Sequence, residues 1–186
     1  MRYYILTDDK AVSGRWYLKG PQRPDGVTID PRTFTSGIPV NGASFQNMSI
    51  PIRKAGRPLD FTLADFDMPV MRADLAEVLQ RECAGEVQVI PVKVQGESTP
   101  YAVLNLTKRV ECLDEHRSGI TWWTASEGRP EKIGQYMIVA RPRIDPARVV
   151  GNRVFRIRGW EVTMVVDGTI AALLEPFTGV TLRDAS

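Results

Sequence analysis

The sequence predicts an α+β fold. The expected form is a single domain over residues 1–186, mainly antiparallel β-sheet, with one long central helix and a short C-terminal helix. Three observations predict it. Segments of alternating β-forming residues follow one another through the second half of the chain with no helix between them, so there is no βαβ rhythm. Only two stretches carry helical periodicity. A chain of 186 residues, 43% hydrophobic and 25% charged, lies at the upper end of one ordinary domain and can hold a core without metal or disulfides.

Taken in order, Arg2 to Thr7 is short and rich in β-formers, and opens the fold as a strand. The loop-rich part, 8–66, is punctuated by Gly20-Pro21, Pro24-Asp25-Gly26, Asp30-Pro31, Asn41-Gly42 and Pro51. Trp16, Leu18, Phe34, Ile50 and other apolar residues recur through it, which predicts short strands and packed loops. The long helix is placed at about 68–83, with Asp67 as its cap and Pro69 in its first turn. Val70, Met71, Leu75, Val78 and Leu79 would form its apolar stripe, and Ala84-Gly85 would end it.

The β-rich part, 86–166, follows. Glu86 to Gln95 alternates, with Pro91 marking an edge or bulge. Tyr101 to Val110 runs back from it, and Ile120 to Thr124, Gln135 to Ile144 and Arg153 to Val166 are three further strands. Gly159 suggests a bend or bulge inside the last of these. Asp167-Gly168 starts the closing helix through Ile170, Leu173 and Leu174, and Pro176 stops it. No internal repeat is evident.

The net charge of +2, from 24 basic and 22 acidic residues, creates no global field toward nucleic acid or membrane. Cys83 and Cys112 match no metal-ligand spacing, and two buried reduced thiols are the expected state. The opening segment lacks the apolar stretch of about 7–15 residues that a secretion signal needs, so a cytoplasmic location is expected.

The chemistry-bearing residues are sparse. The one histidine, His116, lies between Asp114 and Ser118, an order that invites a triad. A charged turn in which Asp114 caps backbone N–H groups is the simpler reading. Cys83 at a helix end and Cys112 beside Glu111 are poorly placed as thiolate nucleophiles. No phosphate-binding glycine loop is present, and no cofactor or metal is expected. From Arg141 to Arg158, six arginines face one acid, which suits phosphate or RNA binding or the solvated face of an amphipathic strand. From Asp60 to Glu77, five acids face one base, which suits docking to a basic groove or a solvated helix start. In Trp122-Trp123, alternation would send one indole inward and leave the other as an interface anchor.

The order of several segments resembles a family of bacterial immunity proteins associated with polymorphic toxins and type VI secretion effectors. The segments are Tyr3-Tyr4-Ile5-Leu6, Leu59-Asp60-Phe61, Val87-Gln88-Val89-Ile90-Pro91-Val92 and Tyr101-Ala102-Val103-Leu104-Asn105. They continue with Cys112-Leu113-Asp114-Glu115 through Ser118, the run Gly128 to Gly134, Val154-Phe155-Arg156-Ile157, Gly159-Trp160 and a helix ending near Glu175. Each is short, and their order and spacing carry the resemblance over nearly the whole chain. It implies a protein without catalysis of its own that binds and neutralises a cognate toxin, with a nuclease as the leading class. The expected contacts are Asp8, Asp9, Asp114, Glu115, Trp122, Trp123, Arg129, Glu131 and Lys132, with no nucleic acid or membrane as partner. A small enzyme centred near His116 and a nucleic-acid module using Arg141 to Arg158 are the alternatives.

Overall fold

Tyr101–Leu106 and Val154–Ile157 are buried along their whole length, so each of two sheets carries apolar residues on both faces, and the rest of the chain folds to cover them. A computed structural model describes all residues, Met1–Ser186. In chain order its elements are β1 (Tyr3–Asp8), β2 (Tyr17–Leu18), β3 (Ser49–Ile50), β4 (Ile52–Lys54), β5 (Phe61–Leu63) and β6 (Pro69–Arg72). There follow α1 (Ala73–Glu82), β7 (Val87–Val94), β8 (Tyr101–Leu106), β9 (Arg109–Val110), β10 (Ile120–Trp122) and β11 (Tyr136–Val139). The chain closes with β12 (Val154–Ile157), β13 (Trp160–Asp167), α2 (Gly168–Leu174) and β14 (Val180–Asp184).

One sheet has the order β14-β1-β13-β12-β9 and the other β3-β7-β8-β6-β5, while β2-β4 and β10-β11 are two-stranded ribbons. Pairing is antiparallel except where β9 joins β12 and β3 joins β7. The fold is thus α+β and mainly antiparallel, as the sequence predicts. Three cores separate by alternation. Leu6, Met164 and Val166 of the first sheet meet Ala102, Leu104 and Leu106 of the second in a central core that also holds both helices. Tyr3, Ile5, Phe155 and Val165 face outward under residues 110–149. Val70, Ile90, Val92 and Val103 face the other way, under Trp16, Phe34 and the rest of the loop-rich segment.

The long central helix is a correction. It has ten residues and starts at Ala73, so Pro69–Arg72, expected inside the helix at about 68–83, form a strand instead. Val70 and Met71 serve two different cores, which neighbouring residues do on a strand and not on a helix stripe. Asp67 does not cap the helix; with Phe66 it forms a left-handed turn (φ 54° and 56°) between β5 and β6. Gly159 is likewise no bulge within one strand. Its φ of 82° makes the tight turn of the β12–β13 hairpin, into which the expected Arg153–Val166 strand divides. Tyr101 to Val110 also divides, β8 lying in one sheet and β9 in the other. The strand expected over Gln135 to Ile144 is only Tyr136–Val139. The closing helix starts where expected, because the Asp167 side chain accepts from Ile170 N–H at 2.8 Å.

The sheets repeat a topology that the sequence does not display. The hairpin β5-β6, helix α1 and hairpin β7-β8 give the spatial order β7-β8-β6-β5. The hairpin β12-β13, helix α2, β14 and β1 give β14-β1-β13-β12 with the same antiparallel pairings. In both, the helix begins at the residue after a strand ends. Two buried polar contacts bolt the halves together. Arg15 bridges Asp8 of β1 at 2.5 Å and Thr62 of β5 at 2.7 Å. Glu86, leading into β7, accepts the backbone N–H groups of Arg153 and Val154 at 2.8 and 2.7 Å.

Candidate functional site

The segment between β9 and β12 covers one face of the first sheet, and its outer side forms the candidate site. Val139, with Ile120 and Tyr136, packs the β10–β11 ribbon onto the core over Phe155 and Ile157. The register slips between Thr121 and Trp122, which sets Trp122 opposite Tyr136. Their rings lie 4.8 Å apart at 46°. No third strand flanks this ribbon, and Trp122, Ile133 and Ile138 are 39%, 53% and 47% exposed.

Neither tryptophan fills the core, against expectation. Trp122 is exposed, and Trp123 is half-buried under the Lys132 ammonium, 4.8 Å from its ring. The physical reason is the brevity of the ribbon. Ile120, Tyr136 and Val139 pack on the core below, and by Trp123 the chain is already turning into a capped 3-10 turn. There Thr124 and Glu127 form a reciprocal capping box, and the Thr124 hydroxyl and N–H hold the Glu127 carboxyl below its ordinary range.

Beside the ribbon lies a pocket of about 390 Å³ between Trp122, Tyr136 and the β12–β13 turn. Glu111, Glu115 and Arg158 line it, and Gly134 and Gly159, both at positive φ, form lips without side chains. The Tyr136 hydroxyl donates to Glu115 at 2.6 Å. Burial, then this bond to a carboxylate, pushes the phenol up to about 12, so it stays a donor at neutral pH. The Arg158 guanidinium stands 3.9 Å from Glu111.

The pocket therefore brings together Glu115 and Trp122 of the expected contacts. Arg129 and Glu131 are exposed on the neighbouring turn, and Lys132 lies over Trp123. Asp114 is half-buried and caps its own turn, accepting from the N–H groups of His116 and Arg117 at 3.1 Å each. Asp8 is a correction: it is buried, and its carboxylate is taken by Arg15. Asp9 is half-buried and shapes the next turn through Ala11 N–H. Tyr136, Glu111, Ile133 and Ile138 are the site residues that the sequence reading missed. Their signal was weak, since an exposed isoleucine in a short strand looks like a buried one.

The other sequence features disperse. Asp114, His116 and Ser118 make no triad: Asp114 binds backbone, and the Ser118 hydroxyl accepts from Arg143 N–H at 2.9 Å. The cavity beside His116 is about 240 Å³, with no hydrophobic residue in its wall. Arg141 to Arg158 forms no single basic face. Arg148 pairs with Asp145 and Arg153 with Asp167, while Arg143 binds backbone oxygens of Asp184 and Ser186. Arg156, read as solvated, is fully buried in β12 and donates to Glu161 O at 2.6 Å. The acids of residues 60–77 are partly neutralised within the chain, Asp60 and Asp74 by Arg72 and Asp65 by Arg53. The thiols are free and buried in different cores, and burial first of all pushes both up to about 12.

A second exposed aromatic, Phe66, sits on the left-handed turn after β5 with the Arg32 guanidinium 3.8 Å above its ring. No group of three or more His, Cys, Asp or Glu residues is placed to hold a metal ion. No helix is long and apolar enough to cross a membrane. No family model and no curated protein matches this chain.

Proposed function

We propose that this chain is an immunity-type binding protein that neutralises a cognate secreted antibacterial toxin by protein–protein contact. The toxin would be of the polymorphic or type VI class, with a nuclease as the leading candidate. The observation that carries the reading is the open β10–β11 ribbon. Trp122, Ile133 and Ile138 expose apolar surface there amid Glu111, Glu115, Glu131, Arg129 and Lys132. An apolar centre with an aromatic anchor and a charged rim is the anatomy of a protein interface. The ribbon rests on a sheet, so its shape is set before binding, which lowers the entropy lost on association. Inhibition by mass action asks nothing more of the chain than such a surface, of about 800 Å² per partner.

The reading is tested by mixing the protein with an inactivated form of the toxin encoded beside it and measuring complex formation. A stable one-to-one complex that Trp122→Ala weakens at least a hundredfold, with the variant still folded, supports it. Failure of the two folded proteins to associate counts against it for that pair. Binding of RNA that weakens steeply as salt rises would instead favour the nucleic-acid alternative.

A further inference from the structure

The pocket beside the ribbon has a composition that folding does not require, and its chemistry specifies what enters it. Trp122 and Tyr136 line it with their rings 4.8 Å apart, and aromatic ring faces are electron-rich and attract cations. Glu115 accepts from Tyr136 through one carboxylate oxygen and has no other intramolecular partner. Glu111 is 75% exposed and has only the loose 3.9 Å contact with Arg158, itself 68% exposed. The chain's cation–ring contacts involve Tyr17, Phe66 and Trp123, so no cation of its own lies over Trp122 or Tyr136. Rings and carboxylates attract the same sign of charge, and the glycine lips leave the mouth open.

We infer that this pocket receives an arginine side chain of the partner protein. This deepens the immunity reading and rests on it. The guanidinium lies against Trp122 and Tyr136 and pairs with Glu115 and Glu111, displacing Arg158 toward solvent. Arginine is favoured over lysine because its planar, weakly hydrated head stacks on rings and forms paired hydrogen bonds with carboxylates. Enzymes that act on phosphodiesters hold phosphate with such arginines, so the pocket would occupy the group that the toxin needs for its substrate.

The test uses no toxin. The full chain, labelled with nitrogen-15, is titrated with N-acetyl-arginine amide and, separately, with its neutral isostere N-acetyl-citrulline amide. The Trp122 indole N–H and the Gly134 and Gly159 amides are the reporters. The expected result is saturable movement of these signals with arginine, at a dissociation constant of roughly 1–10 mM, and none with citrulline. The double variant Glu111→Gln/Glu115→Gln should weaken binding about tenfold while keeping a dispersed spectrum. Equal response to citrulline, movement centred elsewhere, no saturable movement, or unchanged affinity in the double variant overturns the assignment. A protein that binds its toxin but shows one of those outcomes keeps the immunity reading and loses only this pocket's occupant.

Discussion

Arg15 shows what a single residue contributes here. Its guanidinium is buried with Asp8, Thr62 and the Asp9 carbonyl oxygen around it, joining β1 to β5. Removing one partner leaves the other charge uncompensated in the interior, which costs about 3–5 kcal/mol. Asp8→Ala is therefore expected to lower the urea midpoint strongly, and a loss under 1 kcal/mol would contradict the bolt. Arg156 is the opposite case. It is buried, burial lowers it to about 10, and its Nε and Nη2 have no acceptor. Each unmade hydrogen bond of a buried group costs about 1–3 kcal/mol. Arg156→Met should therefore be neutral or stabilising in the same assay, and a large loss would mean that those N–H groups are satisfied. Neither role was legible in the sequence. Asp8 looked like half of an exposed acidic pair, and Arg156 like one tooth of a solvated row, because partners far along the chain decide burial.

At the scale of elements, local signals worked where neighbours agree with them. Asp167-Gly168 starts α2 because the cap residue and the strand end coincide, and Glu86 to Gln95 alternates because Ile90, Val92 and Val94 are buried on one face while Pro91 and Lys93 are exposed on the other. They failed at β6, where Val70 and Met71 fit a helical stripe and a strand equally well and two separate cores decided for the strand. β14 was missed altogether, since it lies after a proline and is only half-buried. Its entry depends on Gly179, at φ 88°, where a Cβ would stand 2.1 Å from Phe61 O and 3.0 Å from Leu59. Gly96 also has positive φ, but a Cβ there would meet nothing within 4 Å. Gly96→Ala should thus cost about 1–2 kcal/mol from backbone conformation alone. Gly179→Ala should cost clearly more in the same thermal melt, and equal costs would contradict the close crossing of β14 over β5.

For the whole molecule, burial of one thiol in each of two cores sets a pH response. Cys83 and Cys112 titrate only near 12 in the folded chain, against 9.0 for a free thiol, with burial the first cause in each. Between those values the unfolded chain has lost protons that the folded chain keeps, so stability is intact below pH 9 and falls as pH rises toward 12. A Cys83→Ala/Cys112→Ala variant should show a shallower alkaline decline in melting temperature than the parent; parallel declines would place the thiols outside the cores. The fold class was legible because composition and strand patterning are properties of the whole chain. The paired arrangement of the sheets was not, because β1 completes a unit whose other strands lie more than 140 residues away. The candidate site was half legible: Trp122 and Glu115 stood out by type, while Tyr136 and Ile138 join them only through pairing across the hairpin. The proposed binding of a toxin by this ribbon is tested by calorimetric titration of the inactivated cognate toxin into the parent and Trp122→Ala proteins. The expected result is a one-to-one complex near nanomolar for the parent, about −12 kcal/mol, and at least a hundredfold weaker binding for the folded variant. No heat with the parent, or equal affinity for both proteins, would contradict it.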